Sequence, residues 1–324
     1  MQLSGRSIAR DWARSTEVAA ARHANPYTAG SRQTSAMTRA LVLSGGASLG
    51  AIEVGMLHAL FERGVAPDLI GGTSAGALNG AFIASREPTV QTALKLGEIW
   101  RRLRRGSVFP ANPLTGFIGF IGARDHLVPD GSLRRLIARH VHVDRLEEMR
   151  TPLHVIVTDL LTGHDLRISE GPAVDAVLAS AAIPGVFAPV ELDGRRLIDG
   201  GVVNNTPISH AVELGADQIY VLPTGYACAL ESAPRGALAV LLHAETILIQ
   251  QRLHVEVELF RDRADLIVLP PPCPLSVQPI DFSHAGELIE RGLLDSREYL
   301  DALEHNSSSG KTAPAERLLA HTHS

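Results

Sequence analysis

Twice between residues 39 and 85 an apolar run stops at a glycine-rich turn and gives way to a helical pattern. No other feature confines the fold as tightly. Ala40-Leu41-Val42-Leu43 reads as a short buried strand ending at Ser44-Gly45-Gly46. From about Ser48 the apolar positions Leu49, Ile52, Met56, Leu57, Leu60 and Phe61 recur mostly at three- and four-residue spacing, until Gly64 stops them. Pro67-Asp68-Leu69-Ile70 then leads into Gly71-Gly72-Thr73-Ser74-Ala75-Gly76 and a small-residue helix to about Ser85. Two successive β-turn-α units predict an α/β fold: a three-layer α/β/α sandwich on a mostly parallel central sheet.

Further strands are expected at Leu153-Val157, Asp165-Ile168, Arg196-Ile198, Gln218-Leu222 and Leu266-Leu269. Helices are expected at Thr89-Arg104, Ser132-His140, Val174-Ala181, Ile208-Leu214 and Leu238-Phe260, the last with an apolar stripe that suits core or interface and is read as core in preference. The stretch from Gly106 to Pro129, rich in glycine and proline with Phe109, Phe117 and Phe120, reads as a lid. No internal repeat or linker divides the chain, so one domain is expected from about residue 39 to 304. Residues 1–38 read as a basic, flexible extension and residues 305–324 as a disordered tail.

Composition narrows the partners. Thirty basic residues against 35 acidic ones, a net charge of -5, argue against a nucleic-acid surface. The long uncharged stretches, residues 69–85 and 107–123, are interrupted by glycines, prolines or polar residues, so neither reads as a membrane span and any membrane contact is expected to be peripheral. Cys228 and Cys273 lack the spacing of a zinc site or a disulfide framework and read as free thiols in a reducing, cytoplasmic setting.

Three segments carry the chemistry. Gly72-Thr73-Ser74-Ala75-Gly76 fits the nucleophile-elbow pattern G-x-S-x-G, in which small neighbours let the chain turn sharply from strand to helix while the serine hydroxyl points outward. Ser44-Gly45-Gly46-Ala47-Ser48-Leu49-Gly50 is a turn whose backbone N–H groups can converge on an anion. It would also suit a dinucleotide, but that reading wants an acid at the end of the second strand, and a serine elbow stands there instead. Leu197-Ile198-Asp199-Gly200-Gly201 places a carboxylate at a strand end, beside glycines that permit close backbone approach.

These blocks, in this order, with Ser180-Ala181-Ala182-Ile183-Pro184-Gly185-Val186-Phe187-Ala188-Pro189-Val190 and Asn205-Thr206-Pro207, resemble the patatin-like phospholipases over roughly residues 40 to 222. The resemblance implies a lipid acyl hydrolase acting on acyl lipids or other carboxylic esters. Ser74 would be its nucleophile and Asp199 its general base. The amides of Gly45, Gly46 and Ala47 would form its oxyanion hole, with Gly50, Gly72, Gly76, Gly200 and Gly201 supporting the motifs. No metal or organic cofactor is implied. The family's turn usually reads Gly-Gly-Gly-x-Arg/Lys-Gly, whereas here Ala47 stands at the third glycine and Leu49 at the basic position. A methyl group is comfortable there only at negative φ.

The mechanism expects Asp199 to be buried, because a well-hydrated carboxylate is a feeble base for an alcohol. Histidines 154, 210, 243, 254 and 284 follow the elbow and could supply an imidazole. In α/β-hydrolases, however, the elbow follows several strands, and here it opens the second β-α unit. Asp159 reads as a turn or strand-end residue, the run Arg101, Arg102, Arg104 and Arg105 as a solvated helix end in preference to a phospholipid-headgroup site, and Thr206-Pro207 as N-cap and first helical residue. Two further functions stay open: a catalytically weak lipid- or partner-binding member of the family, motivated by Ala47 and Leu49, and a nucleotide binder. Oligomeric state is left open.

Overall fold

A computed structural model describes residues 37–110, 125–225, 237–273, 275 and 277–308. Among them are β1 (Arg39–Leu43), α1 (Ala51–Glu62), β2 (Leu69–Thr73), α2 (Ala75–Ala84), α3 (Val90–Arg102), α4 (Arg105–Val108) and α5 (Gly131–His140). Then come β3 (Leu153–Asp159), β4 (Asp165–Ile168), α6 (Ala173–Ser180), β5 (Val190–Leu192) and β6 (Arg195–Asp199). The chain continues through α7 (Ile208–Glu213), β7 (Gln218–Leu222), α8 (Ala237–Phe260), β8 (Asp265–Val268) and α9 (Ala285–Ser308).

The strands form one sheet in the order β5-β6-β3-β2-β1-β7-β8, with β4 also pairing β3. β3, β2, β1, β7 and β8 run parallel, so their carboxyl ends share one edge. Alternating residues of these strands feed two cores. Leu41, Leu43, Ile70, Val155 and Val157 pack with α1, α2, α3 and α6. Ala40, Val42, Leu69, Ile219 and Val221 pack with Ile208 and Ala211 of α7 and Leu253 of α8. This is the expected three-layer α/β/α sandwich with a mostly parallel sheet.

Local chemistry accounts for the layers. α1 is buried on almost every side because α9 covers the face that the sheet does not, so it shows no amphipathic stripe. Close approach is what glycine permits there: a Cβ on Gly55 would lie 2.2 Å from Ile289 O, and one on Gly292 2.5 Å from Ile52 O. α3 is capped by Thr89, whose side chain accepts from Thr92 N–H.

Several expectations need correction. α9 was not foreseen as a helix, although Leu288, Ile289, Leu293, Leu300 and Leu303 recur at helical spacing. It runs to Ser308, past the expected start of the disordered tail at residue 305. β5, a three-residue edge strand, is too short to leave a period in the sequence. α8 is only partly core: Leu253 is buried, but Val240, Ile247, Leu248, Val255 and Leu259 are exposed. Its 24 residues extend well beyond the short strands it lies against. Cys273 is disulfide-bonded, not a free thiol, so the cysteines no longer argue for a reducing compartment. The extension at residues 1–36, the tail from residue 309 and the centre of the expected lid, residues 111–124, lie outside the described residues. No helix among the described residues is long and apolar enough to cross a membrane.

Candidate active site

Strand register brings the elbow and the Asp-Gly-Gly turn together. β2 pairs with Leu153 to Ile156 of β3, β4 with Val155 to Thr158, and β6 with Val157 to Asp159. A strand has two hydrogen-bonding edges, and β4 overlaps both other partners. β2 and β6 therefore share the opposite edge, β6 taking over where β2 stops. Thr73 stands opposite Ile156 and Asp199 opposite Val157, one residue further along. The two strand ends thus meet head to head, about 3.3 Å apart along β3. Contacts agree: Thr73 Oγ1 donates to Asn204 O at 3.0 Å, and a Cβ on Gly200 would lie 3.1 Å from Thr73 Cγ2.

Ser74 leaves β2 at φ 52°, ψ -117° and opens α2. A non-glycine residue holds such a backbone only when its surroundings impose it, at about 1–3 kcal/mol. Here the surroundings are named. Ser74 N–H donates to Ser180 Oγ at 2.8 Å, and that hydroxyl donates to Ile156 O at 2.6 Å. A Cβ on Gly72 would meet Gly76 O at 2.7 Å, and one on Gly76 would meet Leu43 O at 2.4 Å, so the elbow closes only with glycine at both positions. α2 directs its N-terminal N–H groups and partial positive charge toward the serine. Asp199 is buried, as its expected role requires, and its Oδ1 accepts from Gly201 N–H at 2.8 Å.

The first turn lies against this pair: a Cβ on Gly45 would stand 3.1 Å from Ser74 Cβ. Gly45 N–H donates to Asn205 O at 3.2 Å and is therefore engaged. The N–H groups of Gly46 and Ala47 have no acceptor among the described residues. Ala47 adopts φ 48°, the left-handed conformation for which the sequence pattern of the turn prefers glycine. Side chains hold the rest: Gly45 O accepts from Thr224 Oγ1 at 2.6 Å and Asn205 Nδ2 at 3.2 Å, and Ser44 N–H donates to Glu53 Oε1 at 2.7 Å. Glu53 is fully buried, and that burial holds its carboxyl well above the usual carboxylate range against hydrogen bonds from Asn79 and Ser44. Sequence reasoning did not single out Glu53, Asn79 or Thr224. An acid among the apolar residues of the first turn of α1 was the available sign of Glu53.

An apolar cavity of about 80 Å³ begins at Ser74 and Ala47. It passes between Leu78 and Phe82 of α2, Trp100 of α3 and Ile137 of α5, toward His140. From Ser74 to Phe82 along α2 is about 12 Å at the helical rise.

The other sequence candidates lie elsewhere. His154 has the strand parity of the face opposite that cavity, and burial, helped by Arg167 and His210, takes its pKa down to about 4. His210 bonds Asp165 at 2.9 Å, and that hydrogen bond, with one from Asn204, holds the Asp165 carboxyl down to about 2. Asp159 is a strand-end residue: it accepts from Leu161 and Thr162 N–H and pairs with Arg195. Thr206 does not cap α7, which begins at Ile208. Its hydroxyl bonds Ser44 Oγ at 2.8 Å and so ties the two turns together.

A family model described as patatin-like phospholipase matches residues 41–212. The chain belongs to the patatin-like phospholipase family. Among relatives of this patatin-like chain, Patatin-like phospholipase domain-containing protein 6 of Mus musculus is 31% identical over 191 residues, covering 58% of this chain and 14% of that one. Lysophospholipase NTE1 of Mycosarcoma maydis is 25% identical over 210 residues, covering 63% and 10%. The NTE family protein Mb1092c of Mycobacterium bovis is 32% identical over 192 residues, covering 57% and 49%. The patatin-like chain thus spans less than half the length of these relatives. VipD from Legionella pneumophila, a solved structure, aligns at a TM-score of 0.43 with 16% identity over 82% of this chain and 67% of that one.

Proposed function

We propose that this protein is a lipid acyl hydrolase that cleaves carboxylic esters through an acyl-enzyme on Ser74. The observation that supports the reading is the head-to-head approach of β2 and β6, whose ends carry the strained Ser74 and the buried Asp199, with Ser74 lining an apolar cavity. The substrate's acyl chain lies along α2, and its carbonyl oxygen faces the Gly46 and Ala47 N–H groups. Ser74 Oγ attacks the carbonyl carbon while Asp199 accepts the hydroxyl proton. Collapse of the tetrahedral intermediate breaks the ester C–O bond, and Asp199 returns the proton to the departing alcohol. Water then attacks the acyl-enzyme, again giving its proton to Asp199; collapse of the second tetrahedral intermediate breaks the Ser74 Oγ–acyl bond, Asp199 returns the proton to Oγ, and the free acid leaves. The membership of the patatin-like family and the phospholipase names of its relatives support the same chemistry.

A second reading, a weakly catalytic lipid-binding member, is favoured by the strain at Ala47 and the engaged Gly45 N–H. Reaction with a fluorophosphonate probe separates the two. Stoichiometric labelling that disappears in Ser74→Ala is the expected result, and a folded chain that resists the probe would favour the binder.

A further inference from the structure

The edge that carries Ser74 and Asp199 has two features that acyl transfer leaves unused. One is a run of arginines. α3 returns to this edge after α2 has left it, and Leu103, Val108 and Phe109, just beyond its end, line the cavity that begins at Ser74. Arg101, Arg102, Arg104 and Arg105 are all exposed, Arg101 lying back over Gly97 and beside Gly286. Arg104 Nη1 donates to Arg101 O and Leu103 O, both at 2.8 Å, which satisfies the helix end. Yet among the described residues no carboxylate pairs with any of the four. Arg134, Arg150, Arg196, Arg261 and Arg297 each hold one, whereas Arg39, Arg86, Arg135, Arg139 and Arg263 do not among the described residues, so what sets this run apart is its density, in a chain whose acids outnumber its bases 35 to 30. Four cations within five residues, left without acids on a net-negative protein, make a site for anions from outside.

The other feature is an aliphatic rim. Leu160 and Leu161 follow the carboxyl end of β3 and are 43% and 80% exposed. Val202, in the turn of Asp199, is 52% exposed. Leu127, 41% exposed, is hydrogen-bonded to Gly185 and Val186 beside Phe187, which lines the cavity. Exposed aliphatic groups and unpaired cations on the one edge of the sheet where an apolar cavity meets Ser74 are the surface that a lipid interface selects: cations at the phosphates, alkyl groups below them.

We propose that this edge seats on an anionic phospholipid bilayer, with Arg101, Arg102, Arg104 and Arg105 on headgroup phosphates and Leu127, Leu160, Leu161 and Val202 in the outer acyl region. Seated so, the cavity opens into the bilayer, and an acyl chain passes to Ser74 without crossing water. The purpose of the surface rests on the acyl-hydrolase reading, but its measurement does not.

The test uses the full chain carrying Ser74→Ala, which leaves vesicles uncleaved, and flotation with phosphatidylcholine vesicles with and without phosphatidylglycerol. Binding is expected to need phosphatidylglycerol and to weaken with salt. Each arginine near the surface is worth about fivefold, so Arg102→Gln, Arg104→Gln and Arg105→Gln together should cost on the order of a hundredfold. Lysine at the same three positions should keep the affinity. Leu161→Asp should weaken binding at unchanged salt sensitivity. Equal binding to both vesicles, or an unaffected glutamine triple variant, overturns the proposal. So does a loss confined to Leu248→Ser on α8, which would move the contact to the helix's exposed stripe. Hydrolysis of a soluble p-nitrophenyl ester by the unmodified chain is read separately. Its absence alongside vesicle binding refutes the catalytic reading and leaves this surface standing.

Discussion

The two strand-to-helix turns stand side by side on adjacent parallel strands, each with one non-glycine residue at positive φ, and they are secured in opposite ways. The turn after β1 is held by side chains, Glu53 from the helix that follows and Asn205, Thr206 and Thr224 from distant parts of the chain, which engage Ser44 and Gly45. The turn after β2 is tied by Ser180, whose Oγ accepts from Ser74 N–H, and by Thr73 Oγ1, which donates to Asn204 O, and is otherwise shaped by how closely Gly72 and Gly76 let backbone approach backbone. The difference follows from what each presents. A turn that must leave N–H groups open needs outside groups to take its remaining polar atoms, or they would bend inward to satisfy themselves. A turn that must project one hydroxyl needs only room to bend. The first should therefore fail gradually, one polar contact at a time, and the second all at once.

Breaking the second turn's product gives the largest effect. Ser74→Ala should reduce p-nitrophenyl ester hydrolysis at least about 10⁴-fold, because no covalent intermediate can form. Asp199→Asn should cost about 10²–10⁴-fold in kcat, the range for a positioned base. A purified, folded variant of either kind that keeps its rate dissolves the proposed pairing, whatever the strand register.

The first turn offers a milder test. Asn205→Ala removes one of the two donors to Gly45 O and leaves Thr224 in place. About 1 kcal/mol of stability should go with it, measured by urea unfolding. kcat should fall roughly tenfold to a hundredfold with KM little changed, since a small displacement of oxyanion donors acts mainly on the transition state. Equal losses from Asn205→Ala and Ser74→Ala would erase the contrast between the turns.

Glu53 adds a pH dependence. Its folded pKa is raised, so the native state holds a proton that the unfolded chain has released once pH exceeds the ordinary glutamate value. Stability contributed by the neutral form is then complete below that value and declines as pH rises through the folded pKa. Unfolding midpoints of the native chain should slope downward toward alkaline pH, and Glu53→Gln should flatten the slope. A slope unchanged by the substitution would remove Glu53 from the support of the first turn.

How much of this the sequence disclosed depends on the range of the interaction. Local patterns disclosed the strands at residues 40–43 and 218–222 and both glycine turns, because each follows from neighbours in the chain. Ser74 and Asp199 were legible as chemistry, but their meeting was not, since it depends on β6 continuing an edge of β3 that β2 abandons. Engagement of Gly45 N–H by a residue 160 positions away left no local mark. α9 escaped notice for a different reason. Its apolar residues do recur at helical spacing, but what seats it on α1 is close approach at Gly55 and Gly292, which leaves no mark in an apolar pattern.

Ala47 gives the smallest effect and the finest test of the comparison. At φ 48° its methyl group works against the backbone by about 1–2 kcal/mol, whereas glycine would be at ease there but would gain freedom in the unfolded chain worth about 0.5–1 kcal/mol. Ala47→Gly should therefore stabilise the protein by about 0.5–1 kcal/mol, a modest rise in melting temperature. Turnover should change less than about threefold, because Glu53, Asn205 and Thr224 fix the direction of the turn independently of that methyl group. The same relief at the elbow, Ser74→Gly, should also stabilise, but only by deleting the nucleophile. If Ala47→Gly instead lowers both stability and turnover, the methyl group is a support of the first turn, and the division between a turn held by side chains and one held by close backbone packing no longer stands.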